Sequence, residues 1–160
     1  MANARKEAPT PESAFAKACR YCAYQERSHQ EVRTKLFELG LKSSVVDDLL
    51  SRLITDGFLN EERFAKSFTG GKFRIKKWGR LKIKRELTRR GLTKNCGASG
   101  LKEIDSNDYS KTLQQLLTRK LEELKASHPL QRRHKAARFA ITRGFEPELV
   151  WESVMKLLPE

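Results

Sequence analysis

The chain has 160 residues, with 33 Lys and Arg against 20 Asp and Glu, for a formal net charge of +13. That length fits one compact domain or a few small helical units and excludes a large multi-domain enzyme. Charged residues make up 33% and hydrophobic ones 38%, so the core is thin for its length, and the excess of positive charge favours a polyanionic partner over a neutral small molecule.

Residues 1–12, with two prolines and little apolar content, read as a disordered lead-in. Ser13 is the expected cap of a first helix whose Phe15, Ala18, Cys19 and Cys22 share one face. Ser28 and Glu31 have capping-box spacing, in which each side chain satisfies a free N–H of the first turn. The helix they open carries Val32, Leu36 and Leu39 and closes at Gly40. Ser43 or Ser44 caps a third helix with Val45, Val46, Leu49, Leu50 and Leu53, stopped by Asp56-Gly57. Asn60 then caps a helix with Glu61 and Glu62 in its first turn and Phe64, Ala65 and Phe68 inward, expected to end or kink at Gly70-Gly71. A further helix runs from Arg80 to Gly91. Residues 92–105 are rich in Gly, Ser and Asn and read as a short or broken helix with loops. Ser106 caps a long helix through Leu113, Leu117, Leu121 and Leu124, a helix from Arg132 to Arg143 follows, and Pro147 opens a last one through Val150 and Val154.

These elements make an all-α protein without strand-period alternation. Superposing Gly40, Gly91 and Gly144 aligns Leu36, Leu87 and Ala140 four residues before and Leu41, Leu92 and Phe145 one residue after. The spacing of about fifty residues signals tandem structural units. The expected architecture is three tandem three-helix repeats, at 13–59, 60–105 (basic) and 106–160, in an elongated molecule.

Between Arg63 and Lys94 there are 13 basic residues and a single acid, Glu86. Solvated faces mix signs, and this window does not, so it reads as a polyanion-binding surface. The candidate polyanion- or DNA-binding residues are Lys72, Arg74, Lys76, Lys77, Arg80, Lys82, Lys84, Arg85, Arg89 and Arg90. On a helix from Arg80, Lys82, Arg85 and Arg89 form one stripe, flanked by Lys84 and Arg90, with Ile83 and Leu87 inward. Phe73, Ile75 and Trp78 interleave with the bases. They can either stack on bases or pack between units, and packing is the expected role for Phe73 and Trp78.

Cys19 and Cys22 have metal-like spacing, but no second Cys or His pair follows, so no metal is expected and the two thiols read as core. Glu61-Glu62 and the acids at 103–108 stand where helix N-termini favour negative charge. With neither converging carboxylates nor a phosphate-cradling loop, no catalytic residue and no cofactor are expected. Nothing approaches a membrane-spanning run of about 18 apolar residues, the first residues lack the apolar region of an export signal, and three cysteines argue for reduced thiols. The expectation is a soluble cytoplasmic protein.

The motifs resemble a known family, the RecX recombination regulators. Arg27 to Leu36 is similar to its opening Ser-x-x-Glu-Leu-x-x-Lys-Leu helix. Gly57-Phe58-Leu59-Asn60-Glu61-Glu62-Arg63-Phe64-Ala65 resembles its most specific signature. Trp78 to Leu92 resembles its basic run, with Arg80 where a Pro is common, and Lys135 to Phe145 its Arg-Gly-Phe helix pair. The resemblance covers residues 14–158. It implies tandem three-helix repeats forming an elongated curved molecule that binds the RecA filament; a monomer is expected, with single-stranded and also double-stranded DNA as nucleic-acid partners. It further implies modulation, mostly inhibition, of ATPase, strand-exchange and co-protease activities in recombination, DNA repair and the SOS response. A generic DNA-binding protein has the same charge map. A helical nuclease, the enzyme alternative, would depend on Glu61 or Asp108.

Overall fold

A computed structural model describes residues 7–159, so residues 1–6 of the expected lead-in lie outside the description. Among the described residues there are nine helices and no strand: α1 (Pro11–Tyr24), α2 (His29–Glu38), α3 (Ser43–Thr55), α4 (Glu61–Lys76), α5 (Arg80–Arg89), α6 (Lys94–Leu101), α7 (Ser106–Glu123), α8 (Pro129–Thr142) and α9 (Pro147–Leu157). They pack chiefly in threes, α1–α3, α4–α6 and α7–α9. The accessible surface is 10594 Å², against about 8,200 Å² for a compact monomer of this mass.

The apolar periodicity locates the helices, while several termini shift by a few residues. α1 starts at Pro11, with Thr10 as cap accepting from the Ser13 N–H at 3.2 Å. Pro at the first helical position loses no hydrogen bond, so the helix reaches back past the expected Ser13 and takes in the end of the lead-in. Glu12 there pairs with Arg52. α3 has Lys42 at its cap with no side-chain cap bond, rather than Ser43 or Ser44, because Leu41 must seat in the core directly after Gly40. Asp105 rather than Ser106 caps α7, accepting from the Asp108 N–H at 2.9 Å. α8 begins at Pro129, not Arg132, capped by His128 Nδ1 accepting from the Leu130 N–H.

The larger difference is at Gly70-Gly71. α4 runs through both glycines to Lys76 and ends only at Lys77, whose φ is +56°. Burial of Thr69, Gly70 and Phe73 carries the helix on, since tertiary packing outweighs a glycine penalty of about 1 kcal/mol per residue. α6 forms as a short helix capped by Thr93. Its Gly100 lies where a Cβ would stand 2.8 Å from the Ala65 carbonyl oxygen, so this glycine brings α6 onto α4.

Two cores result. One lies within α1–α3 and is built on Ala14, Ala18, Val32, Leu36, Val46 and Leu53. The other is shared by α4–α6 and α7–α9, from Phe64 and Ile83 through Tyr109 and Leu117 to Val150. Cys22 belongs to the first core, where burial raises its thiol pKa to about 11, so it stays protonated at neutral pH.

Candidate nucleic-acid interface

The second and third units are locked together at the start of α5. Gly79 donates its N–H to the Arg143 carbonyl at 2.8 Å, and Leu81 donates to the Gly144 carbonyl at 2.9 Å. A Cβ on Gly79 would come within 2.2 Å of the Gly144 backbone, so only glycine permits this approach. Beside it, fully buried Tyr109 donates its hydroxyl to Glu146 at 2.8 Å and accepts the Arg80 N–H at 3.0 Å. The Arg80 guanidinium lies 3.8 Å from the Tyr109 ring centre and pairs with Glu146 at 3.7 Å. Burial pushes the Tyr109 phenol well above its ordinary pKa.

This lock fixes the basic residues relative to one another. Lys72 and Lys82 flank the Trp78 ring, their ammonium groups 4.9 and 4.4 Å from its centre, and each such contact contributes about 0.5–1 kcal/mol at an exposed site. Trp78 and buried Phe73 pack on the shared core, the role expected of them, whereas Ile75 is 77% exposed among Arg74, Lys76 and Lys77. Lys84, Arg85 and Arg89 project from α5 to solvent, with Glu86 paired to Arg89 at 3.4 Å.

Two of the sequence-identified cations are occupied inside the protein. Arg80 holds Glu146, as above, and Arg90 bonds Glu31 at 2.8 Å while lying over Phe68. That pair explains a half-formed capping box: Ser28 accepts from the Glu31 N–H at 3.1 Å, but the Glu31 carboxylate reaches Arg90 instead of returning to the backbone. Together with Arg63 and Glu26, it ties the first unit to the second by ion pairs.

The structure adds Lys120, Lys135, Arg138 and Arg143 to the cations named from the sequence. Lys82 of α5, Lys120 of α7, and Lys135, Arg138 and Arg143 of the α8 region line one groove of 530 Å³ floored by Phe139, with no acidic side chain in its walls. Arg143 also donates to the carbonyl oxygens of Lys76 and Lys77 at the end of α4, the position where a helix terminus favours a cation. The cations of α7 and α8 escaped notice because Glu122, Glu123 and apolar residues separate them along the chain. Their only sequence signal is helical spacing: Lys135 and Arg138 are three apart. The groove and the exposed α4–α5 cations present a run of positive charge suited to phosphates. Among the described residues no three His, Cys, Asp or Glu side chains are placed to hold a metal ion.

Three family models match the chain: the first three-helix domain of RecX over residues 14–53, the second over 60–99 and the third over 107–154. Among curated relatives, the regulatory protein RecX of Prosthecochloris aestuarii is 30% identical over 145 residues, covering 91% of this chain and 93% of its own. That of Chlorobaculum tepidum is 31% identical, covering 92% and 90%. A crystal structure of RecX from Lactobacillus salivarius superposes with a TM-score of 0.84 at 19% identity, over 92% of this chain and 96% of that one.

Proposed function

The chain belongs to the RecX family of regulatory proteins, and from that premise we propose that it binds the RecA–DNA filament and modulates it, mostly by inhibiting ATPase, strand-exchange and co-protease activities. The observation that carries the reading is the strongly basic surface of α4 and α5, interrupted by Glu86 alone between Arg63 and Lys94, with the cationic α7–α8 groove beside Lys82. A filament of DNA and protein offers phosphates along its length, and a row of rigidly joined helical units can follow them. The protein acts by binding rather than catalysis, as a monomer, in the cytoplasm where the recombinase works. Single-stranded DNA is the nucleic-acid partner, with double-stranded DNA as a second. Lys82, Arg85 and Arg89 make the central contacts, supported by Lys72, Arg74, Lys76, Lys77 and Lys84, while Arg80 and Arg90 hold the units that present them.

Replacing Lys82, Arg85 and Arg89 by Glu abolishes inhibition of the recombinase while the far-UV CD spectrum stays helical. Unchanged inhibition removes these residues from the reading. The same charges favour simple DNA binding as a second reading; a competition assay on bare single strands, with and without recombinase, separates the two.

A further inference from the structure

The internal repeat exposes a missing side chain. Counting from Gly40, Gly91 and Gly144, the sixth residue onward is Val46, Gly97 and Val150. Val46 and Val150 are both fully buried, each in the core of its unit. Gly97 occupies the same buried register in α6, yet a Cβ placed there meets no atom within 4 Å. Its φ is not positive, and unlike Gly100 it makes no close backbone approach. Glycine inside a helix disfavours folding, and here it repays nothing within the chain. What it leaves is an open groove of 350 Å³ between α5 and α6, walled by Leu87, Leu92 and Leu101 and rimmed by Lys84 and Lys94. Thr93, at the same rim, holds Glu61 by its hydroxyl at 3.3 Å.

We propose that this groove receives one apolar side chain from an acidic protein segment of the recombinase filament. The groove is lined chiefly by apolar groups and is roomy enough for one large side chain, which fits an aliphatic or aromatic anchor. The charged groups that line it are both lysines, which fits flanking carboxylates. At 3.6 residues per turn, Lys84, Leu87 and Thr88 lie about 140° around α5 from the Lys82, Arg85 and Arg89 stripe. One helix thus turns one side to nucleic acid and another to protein, and a generic DNA-binding protein has no use for the second side. The inference rests on the filament-binding reading and specifies how that filament is told apart from bare DNA.

The test compares binding to RecA assembled on oligo(dT) with a slowly hydrolysed ATP analogue against binding to bare oligo(dT), by fluorescence anisotropy of the labelled full chain. Gly97→Val restores the residue of the sibling units. It is expected to keep or raise the melting temperature, to weaken filament binding about tenfold or more, and to leave oligo(dT) binding within twofold. Ala98→Leu, which fills the groove from the exposed side of α6, gives the same pattern and covers the case in which the valine variant misfolds. Lys94→Glu weakens filament binding at least threefold; no loss there overturns the acidic character of the partner. Filament affinity within twofold of the unaltered chain for both groove-filling variants overturns the inference and leaves the filament reading intact. If the unaltered chain shows no preference for the filament over bare oligo(dT), both fall.

Discussion

Tyr109→Phe tests whether the second and third units are held by a polar lock and not by apolar contact alone. Phe keeps the ring, and with it the contacts to Phe73 and Phe145 at 5.8 and 5.0 Å between centroids, so hydrophobic loss is negligible. What disappears is one hydroxyl with two bonds, to the Glu146 carboxylate at 2.8 Å and from the Arg80 N–H at 3.0 Å. A neutral bond contributes about 1 kcal/mol and a charge-assisted one about 1.5–3 kcal/mol. Glu146 keeps 25% of its side chain exposed and retains Arg80 at 3.7 Å, so its share falls at the low end, and the total is about 2 kcal/mol. For a chain of this length that lowers the melting temperature by about 4–8 °C. Thermal denaturation followed by CD measures it, and a double-mutant cycle with Glu146→Gln shows the coupling as less-than-additive losses. A shift below 1 °C refutes the lock.

Other consequences are as direct. Gly79→Ala forces a Cβ into the Gly144 backbone at 2.2 Å and costs at least about 3 kcal/mol, read as a drop in urea midpoint; an unchanged midpoint means the junction is loose. Glu31→Ala strands the half-buried Arg90 guanidinium and destabilises by about 1 kcal/mol, an effect that high salt reduces because the native pair is itself screened. The Cys22 thiol pKa is raised from 9.0 to about 11, so its contribution is complete below pH 9 and is lost as pH rises through 11, by up to about 2–3 kcal/mol. Cys22→Ala therefore flattens the fall of stability between pH 9 and 10, and a curve parallel to that of the unaltered chain contradicts this. Reversing Lys82, Arg85 and Arg89 lowers the salt slope of single-strand binding by about 0.7 for each contact removed, measured by titration at several salt concentrations.

The helical layout was legible because leucines and valines recur at helical spacing and because Gly40, Gly57, Gly91 and Gly144 all take positive φ at helix ends where few other residues fit. Gly70-Gly71 misled because a terminus signal is local, while Phe73 and Thr69 are held by a core assembled from distant helices. Thr10 and Asp105 cap in place of Ser13 and Ser106, and α8 starts at Pro129 instead of Arg132, since neighbouring polar side chains compete at a helix start and packing chooses among them. The charge of α4 and α5 is continuous in sequence and so was visible. The α7–α8 cations become one groove only when Lys82 is brought beside them by the Gly79–Gly144 contact. Tyr109 gave a faint signal as the residue four before Leu113; its partners lie 29 and 37 positions away.

Under the proposed function, the protein regulates the recombinase through the filament, not by sequestering free DNA. The most direct measurement is the single-strand-dependent ATPase of RecA at fixed filament concentration, titrated with this protein. Loss of ATPase well below one molecule per recombinase subunit is the expected result. Loss only at large excess, relieved by more single-stranded DNA, contradicts it.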